Sequence, residues 1–153
     1  MVGVFRNALG AILLSLPGLL AAPASAQAPA GGIDCPQPRF TGSAPEEYLS
    51  RQNPVQPEPV ALQEGGRLYQ GTPGRISCAT CHGVKGDGRG QLASQFNPPP
   101  RNFACARTIS GVADGQLFWI IRFGSPGAAM PPHRNLSDEQ IWQLVVYLRS
   151  LSK

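Results

Sequence analysis

Apolar positions along this chain change texture several times, and where they are periodic the period is helical. Ala8 to Leu20 is an apolar run without charge. Residues 27–59 have no periodicity and carry Pro29, Pro36, Pro38, Pro45, Pro54, Pro57 and Pro59. Proline at this density denies helix interior and central strand alike, so an extended arm is expected, with room for one helical turn at Glu46–Leu49 after Pro45. From Val60 to Tyr69 a helix is predicted, with Leu62, Gly66 and Tyr69 near one face. Gly65 and Gly66 lower its intrinsic propensity; they either admit a second helix closely or break this one. Gly71-Thr72-Pro73-Gly74 marks its stop. Residues 83–100 read as loop, with four glycines up to Gly90 and then Asn97-Pro98-Pro99-Pro100. Asp114 is expected to N-cap a strongly apolar helix, Gly115 to Phe123, with Gly124 as its stop. Ser137 and Gln140 form a capping-box pattern. After them Ile141, Leu144, Val145 and Leu148 recur at helical spacing, widened by Trp142 and Val146. The predicted fold class is all-α, short helices joined by long loops, with no convincing strand and no internal repeat.

The first apolar run reads as part of an export signal. Arg6 precedes it, and Ala24-Ser25-Ala26 offers a small-residue cleavage site before Gln27. The run is short for a membrane span, although an uncleaved N-terminal anchor is the rival. No second apolar stretch has membrane length, so no span is expected in the mature chain. The organisation expected is a signal peptide over 1–26, a proline-rich extension over 27–59 and one domain over 60–153. Cleavage removes Arg6 as the sole charged residue of the leader. The full chain's formal +4, from 13 Lys and Arg against 9 Asp and Glu, then becomes +3. The basic residues are scattered, with no run of five, which argues against a nucleic-acid partner.

Cys78-Ala79-Thr80-Cys81-His82 carries the chemistry. Two thiols three positions apart can each add to one vinyl group of a haem, and the histidine that follows can ligate its iron. A zinc site would need about four ligands, usually from two such pairs. Here Cys35 and Cys105 are isolated, and the chain holds only 2 histidines. A thioredoxin-like pair would accompany a βαβ pattern, and none surrounds Cys78. The Gly-rich segment after the motif lacks the preceding apolar strand of a phosphate-binding loop. A domain with this much loop needs a large apolar object to wrap around, and haem supplies one.

Met130 is the only methionine of the expected mature chain. It sits in an uncharged, proline-stiffened loop, 124–132, after the middle helix. Its thioether is the expected second iron ligand, a choice that favours Fe(II) and raises the potential; the alternative is a gap-filling core methionine. His133 is the competitor. With Pro131 and Pro132 between them only one of the two is expected to reach, and His133 is read as a surface histidine near the haem edge. In an exported chain the leftover Cys35 and Cys105 are expected to pair, tying the arm to the domain; two unrelated free thiols are the alternative.

From about residue 60 to the end the sequence resembles the class I c-type cytochromes, small soluble monohaem electron carriers. The resemblance rests on Cys78–His82, the Gly-rich loop, Met130-Pro131 and the capped last helix. It implies a cytochrome c fold wrapped around one covalently bound haem c, with Cys78, Cys81, His82 and Met130 binding the cofactor and His82 and Met130 holding the iron. It implies a glycine–aromatic crossing of the first and last helices, for which Gly66 and Tyr69 against Trp142, Val146 and Tyr147 are the fit. It also implies a loop carbonyl on the proximal imidazole, often next to a proline just after the motif. Gln91 stands there instead, and the region Pro98 to Pro100 is the alternative source. The function expected is single-electron transfer in the periplasm, with no catalytic residues. A periplasmic dehydrogenase would be the donor, and a terminal oxidase or another cytochrome the acceptor. The runner-up is a haem-bearing subunit of a larger periplasmic dehydrogenase; a haem enzyme or gas sensor with an open iron site is a third and weaker possibility.

Overall fold

Every regular element among the described residues is helical, and most begin or end where the sequence changes texture. The computed structural model describes residues 1–3, 35–38, 41–71, 73–74 and 76–152. The chain divides into two compact units, Met1–Ala30 and Gly31–Lys153. The export segment expected over 1–26 falls, beyond its first three residues, outside the described residues. In the second unit the helices run α1 (Glu46–Leu49), α2 (Pro59–Gln70), α3 (Cys78–His82), α4 (Ala106–Ile109), α5 (Asp114–Phe123) and α6 (Asp138–Leu151), with a 3-10 turn at Ala93–Gln95 between α3 and α4.

Local chemistry accounts for most of the boundaries. Pro59 opens α2 at its first turn, where the missing N–H costs nothing. Gly71 closes it with φ +70°. Ser137 caps α6 by accepting from Gln140 N at 3.1 Å, while the Gln140 side chain accepts from Ser137 N at 2.9 Å, the reciprocal box expected. Asp114 departs from expectation. It is the first residue of α5 rather than its cap, and Ala113 in the cap position makes no side-chain bond. The Asp114 carboxylate instead accepts from Arg149 Nε at 2.9 Å and Nη2 at 2.6 Å. Arg149 also donates to the Ile109 and Val112 carbonyls, joining the last turn of α6 to the end of α4 and the loop beyond it. The 3-10 turn and α4 are too short to show a period, and nothing in the pattern predicted them.

α2 crosses α6, and that crossing is the frame of the domain. The point of closest approach is Gly65, one position from the Gly66 favoured on sequence. A Cβ at Gly65 would lie 2.2 Å from Gln143 O and 2.8 Å from Tyr147 Cβ. Gly66 faces only the edge of the Tyr147 ring. Buried Tyr69 completes the contact, its ring centroid 5.3 Å from that of Tyr147. The core continues through Ile141, Leu144, Val145 and Leu148 of α6 to Leu117, Phe118 and Ile121 of α5.

The proline-rich arm is bound to this domain along the part that is described. Cys35 is bonded to Cys105, with Cα atoms 5.7 Å apart. Ala44 N donates to buried Gln116 Oε1 at 2.8 Å, and Asn53 Nδ2 donates to Trp142 O at 3.0 Å. The Arg51 guanidinium lies 4.5 Å from the Phe118 ring centroid. Side-chain amides and cations thus supply the partners that a proline-rich backbone lacks.

Candidate functional site

The motif Cys78–His82 forms α3, and the Gly-rich loop folds back on it. Gly88 N donates to His82 O at 2.7 Å, Gly90 N to Cys81 O at 3.0 Å and Leu92 N to Thr80 O at 3.1 Å. These bonds satisfy carbonyls that the end of a five-residue helix leaves open. The approach is close enough that a Cβ at Gly90 would sit 2.2 Å from Thr80 O. The glycines therefore serve the motif helix by letting backbone meet backbone. Tyr69 adds a further tie, its hydroxyl donating to Gly83 O at 2.7 Å.

His82 is held from one side. Its Nδ1 lies 3.0 Å from Arg101 O. A carbonyl can only accept, so Nδ1 carries the proton and Nε2 presents its lone pair. The Phe103 ring stacks against the imidazole at 4.7 Å between centroids. Burial pulls the His82 pKa below the usual histidine value, against the raising effect of the Arg101 carbonyl, with nearby His133 lowering it further. The ring is thus kept neutral, the form in which imidazole binds metal. Arg101 is the orienting residue that sequence alone missed, one position beyond the Pro98 to Pro100 stretch singled out. No motif marks it, because any residue supplies a carbonyl.

An apolar cavity opens beside α3. Its lining brings together Cys78, Cys81, His82, Met130 and His133, from segments 48 and more positions apart in the chain. Before haem is attached, burial pushes the Cys78 thiol up to about 11 and raises Cys81 as well. Met130 is half-buried and packs against the core. His133, expected near the haem edge, is half-buried. It too lines the cavity, and burial lowers its pKa. Its backbone N donates to Ile121 O at 3.0 Å, and Met130 O accepts from Ser125 N at 3.1 Å, so both ends of the Met130–His133 turn are tied to α5 and the loop after it.

The donor set fits a covalently held haem. Two thiols and a neutral imidazole with a free Nε2 share an apolar cavity with a thioether. Ser125 Oγ, on the cavity wall, is buried and has no hydrogen-bond partner in the protein, which marks a place where a polar group of a bound molecule would be accommodated. A structural zinc site is not supported. Cys35 and Cys105 are bonded to each other, and no group of three or more His, Cys, Asp or Glu side chains is placed to hold a metal ion among the described residues.

An all-helical domain with a C-x-x-C-H helix facing an apolar cavity defines a haem protein of the covalently attached kind. The cytochrome c family model matches residues 62–152, more than half of the chain, and the protein belongs to the cytochrome c family and carries covalently bound haem c. It is similar to a chain of the Kuenenia stuttgartiensis reducing HAO-like protein complex Kustc0457/Kustc0458, at 26% identity and a TM-score of 0.56, over 69% of this chain and 49% of that one. The chain therefore spans about half the length of the solved chain it matches. A c-type cytochrome, KustC0563, matches at 30% identity with a TM-score of 0.42, over 50% of this chain and 88% of that one. No curated protein gives a significant match.

Proposed function

We propose that the protein is a periplasmic single-electron carrier in which Cys78 and Cys81 attach the haem and His82 and Met130 ligate its iron. The observation that carries this reading is the convergence of a neutral, carbonyl-oriented imidazole and a lone thioether on one apolar cavity. The haem supplies a one-electron Fe(III)/Fe(II) couple. The chain's own part is to exclude water, hold both ligands on braced segments and keep reorganisation small. Two protein ligands leave no position for substrate, which favours a carrier over an enzyme. Helix ends anchor each ligand: α3 bears His82, and the Met130 loop is tied to α5. The donor and acceptor we propose are redox proteins, a dehydrogenase and an oxidase or second cytochrome, docking weakly over a small face. Among the described residues no helix is long and apolar enough to cross a membrane.

Met130→Ala tests the ligand assignment. The weak red absorption band of a sulfur–Fe(III) bond should disappear. The potential should fall by more than about 59 mV, the equivalent of tenfold for one electron, because a ligand favouring Fe(II) is gone. Because His133 lines the same cavity, it is positioned to replace the thioether, so Met130→Ala with His133→Ala is the variant expected to leave an open site that binds carbon monoxide. If His133→Ala alone removes the sixth ligand while Met130→Ala leaves the spectrum intact, the ligands are two histidines and the assignment is wrong.

A second reading is favoured by the likeness to a chain of a multi-protein complex: this domain would be the haem-bearing subunit of a larger periplasmic assembly, with the disulfide-tied arm as part of its docking surface. Gel filtration of the native protein separates the two, since a free carrier elutes as a small monomer and a subunit elutes with its partner.

A further inference from the structure

We propose that Gln37, on the N-terminal arm, is a positioning residue for the proximal histidine: its side-chain amide clamps the backbone on both sides of Arg101 and so holds the Arg101 carbonyl on His82 Nδ1. The inference rests on His82 being an iron ligand, as argued above, and adds to it what sets that ligand's strength.

One amide makes both bonds. Gln37 Nε2 donates to Pro100 O at 3.1 Å, and Gln37 Oε1 accepts from Asn102 N at 2.9 Å. Between these two anchored residues, Arg101 O accepts from His82 Nδ1 at 3.0 Å. The segment needs an outside clamp because Pro98, Pro99 and Pro100 have no N–H to tie it down. Gln37 is itself held. It is buried, and its N–H donates to buried Thr108 Oγ1 at 2.9 Å. Arg101 Nη1 reaches back to Gln37 O at 3.3 Å and Pro38 O at 2.9 Å. Two residues earlier, Cys35 is bonded to Cys105. The arm thus reaches the imidazole from the disulfide by way of Gln37 and the Arg101 carbonyl.

A carbonyl fixed on Nδ1–H makes the ring a stronger donor to the metal and favours Fe(III). Freeing that carbonyl should raise the potential. The holoprotein is compared as wild type, Gln37→Leu and Gln37→Glu, by redox titration and by NMR of oxidised protein labelled at histidine nitrogen. In the wild type, His82 resonances should be strongly shifted by the iron and its Nδ1–H should exchange slowly with water. Gln37→Leu removes both amide bonds. It should shift the Fe(III)/Fe(II) equilibrium three- to tenfold toward Fe(II), up to about 59 mV for one electron, and speed Nδ1–H exchange at least tenfold with the sulfur–iron band retained. Gln37→Glu keeps the acceptor for Asn102 N and should give an intermediate exchange rate. Should Gln37→Leu fail to mature with haem, Thr108→Val loosens the same arm more gently and should move both readouts the same way. A Gln37→Leu protein that is less stable yet has unchanged potential and exchange makes Gln37 a packing residue only and overturns the proposal. Wild-type His82 resonances unshifted by the iron would instead refute the ligand assignment, and the clamp with it.

Discussion

Gly65→Ala is the sharpest test of the helix crossing. In an exposed helix the change would be favourable by about 1 kcal/mol, because alanine restricts the unfolded chain and suits the helix. Here the added methyl meets Gln143 O at 2.2 Å and Tyr147 Cβ at 2.8 Å. A carbon–oxygen contact normally begins at about 3.3 Å. The obstacle is backbone on the opposite helix, so no rotamer change relieves it, and α2 and α6 must part by about 1 Å. A gap of that size forfeits about a quarter to a half of the dispersion energy of the atoms across it, and overpacking of this kind costs about 1–3 kcal/mol. After the helix-propensity gain the net effect should be a loss of up to about 2 kcal/mol, read as a lower denaturant midpoint at unchanged slope and a Tm lower by up to roughly 10 °C. Gly66→Ala is the control. Its methyl would meet the edge of the Tyr147 ring, Cε2 at 3.0 Å and Cδ2 at 3.4 Å, and no backbone, so a shift of one side chain by a few tenths of an ångström makes room and its stability should stay within about 1 kcal/mol of wild type. A Gly65→Ala protein as stable as wild type, or a Gly66→Ala protein that is the worse of the two, would refute the crossing described here.

Two further outcomes follow from ties within the domain. Thiol titration of denatured, unreduced holoprotein should find no free thiol. The Cys35→Ser, Cys105→Ser double variant should lose up to about 4 kcal/mol, since the bond closes a separation of 70 residues, while keeping its haem; two reactive thiols in the wild type would contradict the pairing. Tyr69→Phe removes the hydroxyl that donates to the Gly83 carbonyl, which still accepts from Gly86 N at 3.0 Å. It should cost about 0.5–1.5 kcal/mol in denaturant unfolding, with the reduction potential as a second check on whether the neighbouring His82 has moved.

Much of the candidate site was legible in the chain because its chemistry is local. Five consecutive residues define the attachment motif, and Met130 was singled out by its uniqueness in the expected mature chain, its place after the middle helix and the prolines that follow it. Ser137 and Gln140 marked the start of α6 because a capping box needs only residues three apart. Asp114 misled for the same reason: a carboxylate before an apolar run looks like a cap, and only the approach of Arg149, 35 positions away, drew it into an ion pair instead. His133 was placed near the haem edge, and it is half-buried on the cavity lining.

What the amino-acid order determined, then, is the kind of chemistry and the places where helices start and stop, because thiol spacing, caps, prolines and glycines act through the nearest few residues. Only the tertiary structure decided which glycine takes the helix crossing, which carbonyl orients His82, and where the proline-rich arm binds. Gly65 and Gly66 are indistinguishable until the rotation of α2 against α6 is set by packing. Arg101 contributes a backbone atom, which every residue has. Gln37 gains meaning only when Cys105 and Thr108, some 70 positions later, bring the arm against the Pro100–Asn102 backbone. Such contacts depend on how the chain closes on itself, and no local pattern encodes that closure.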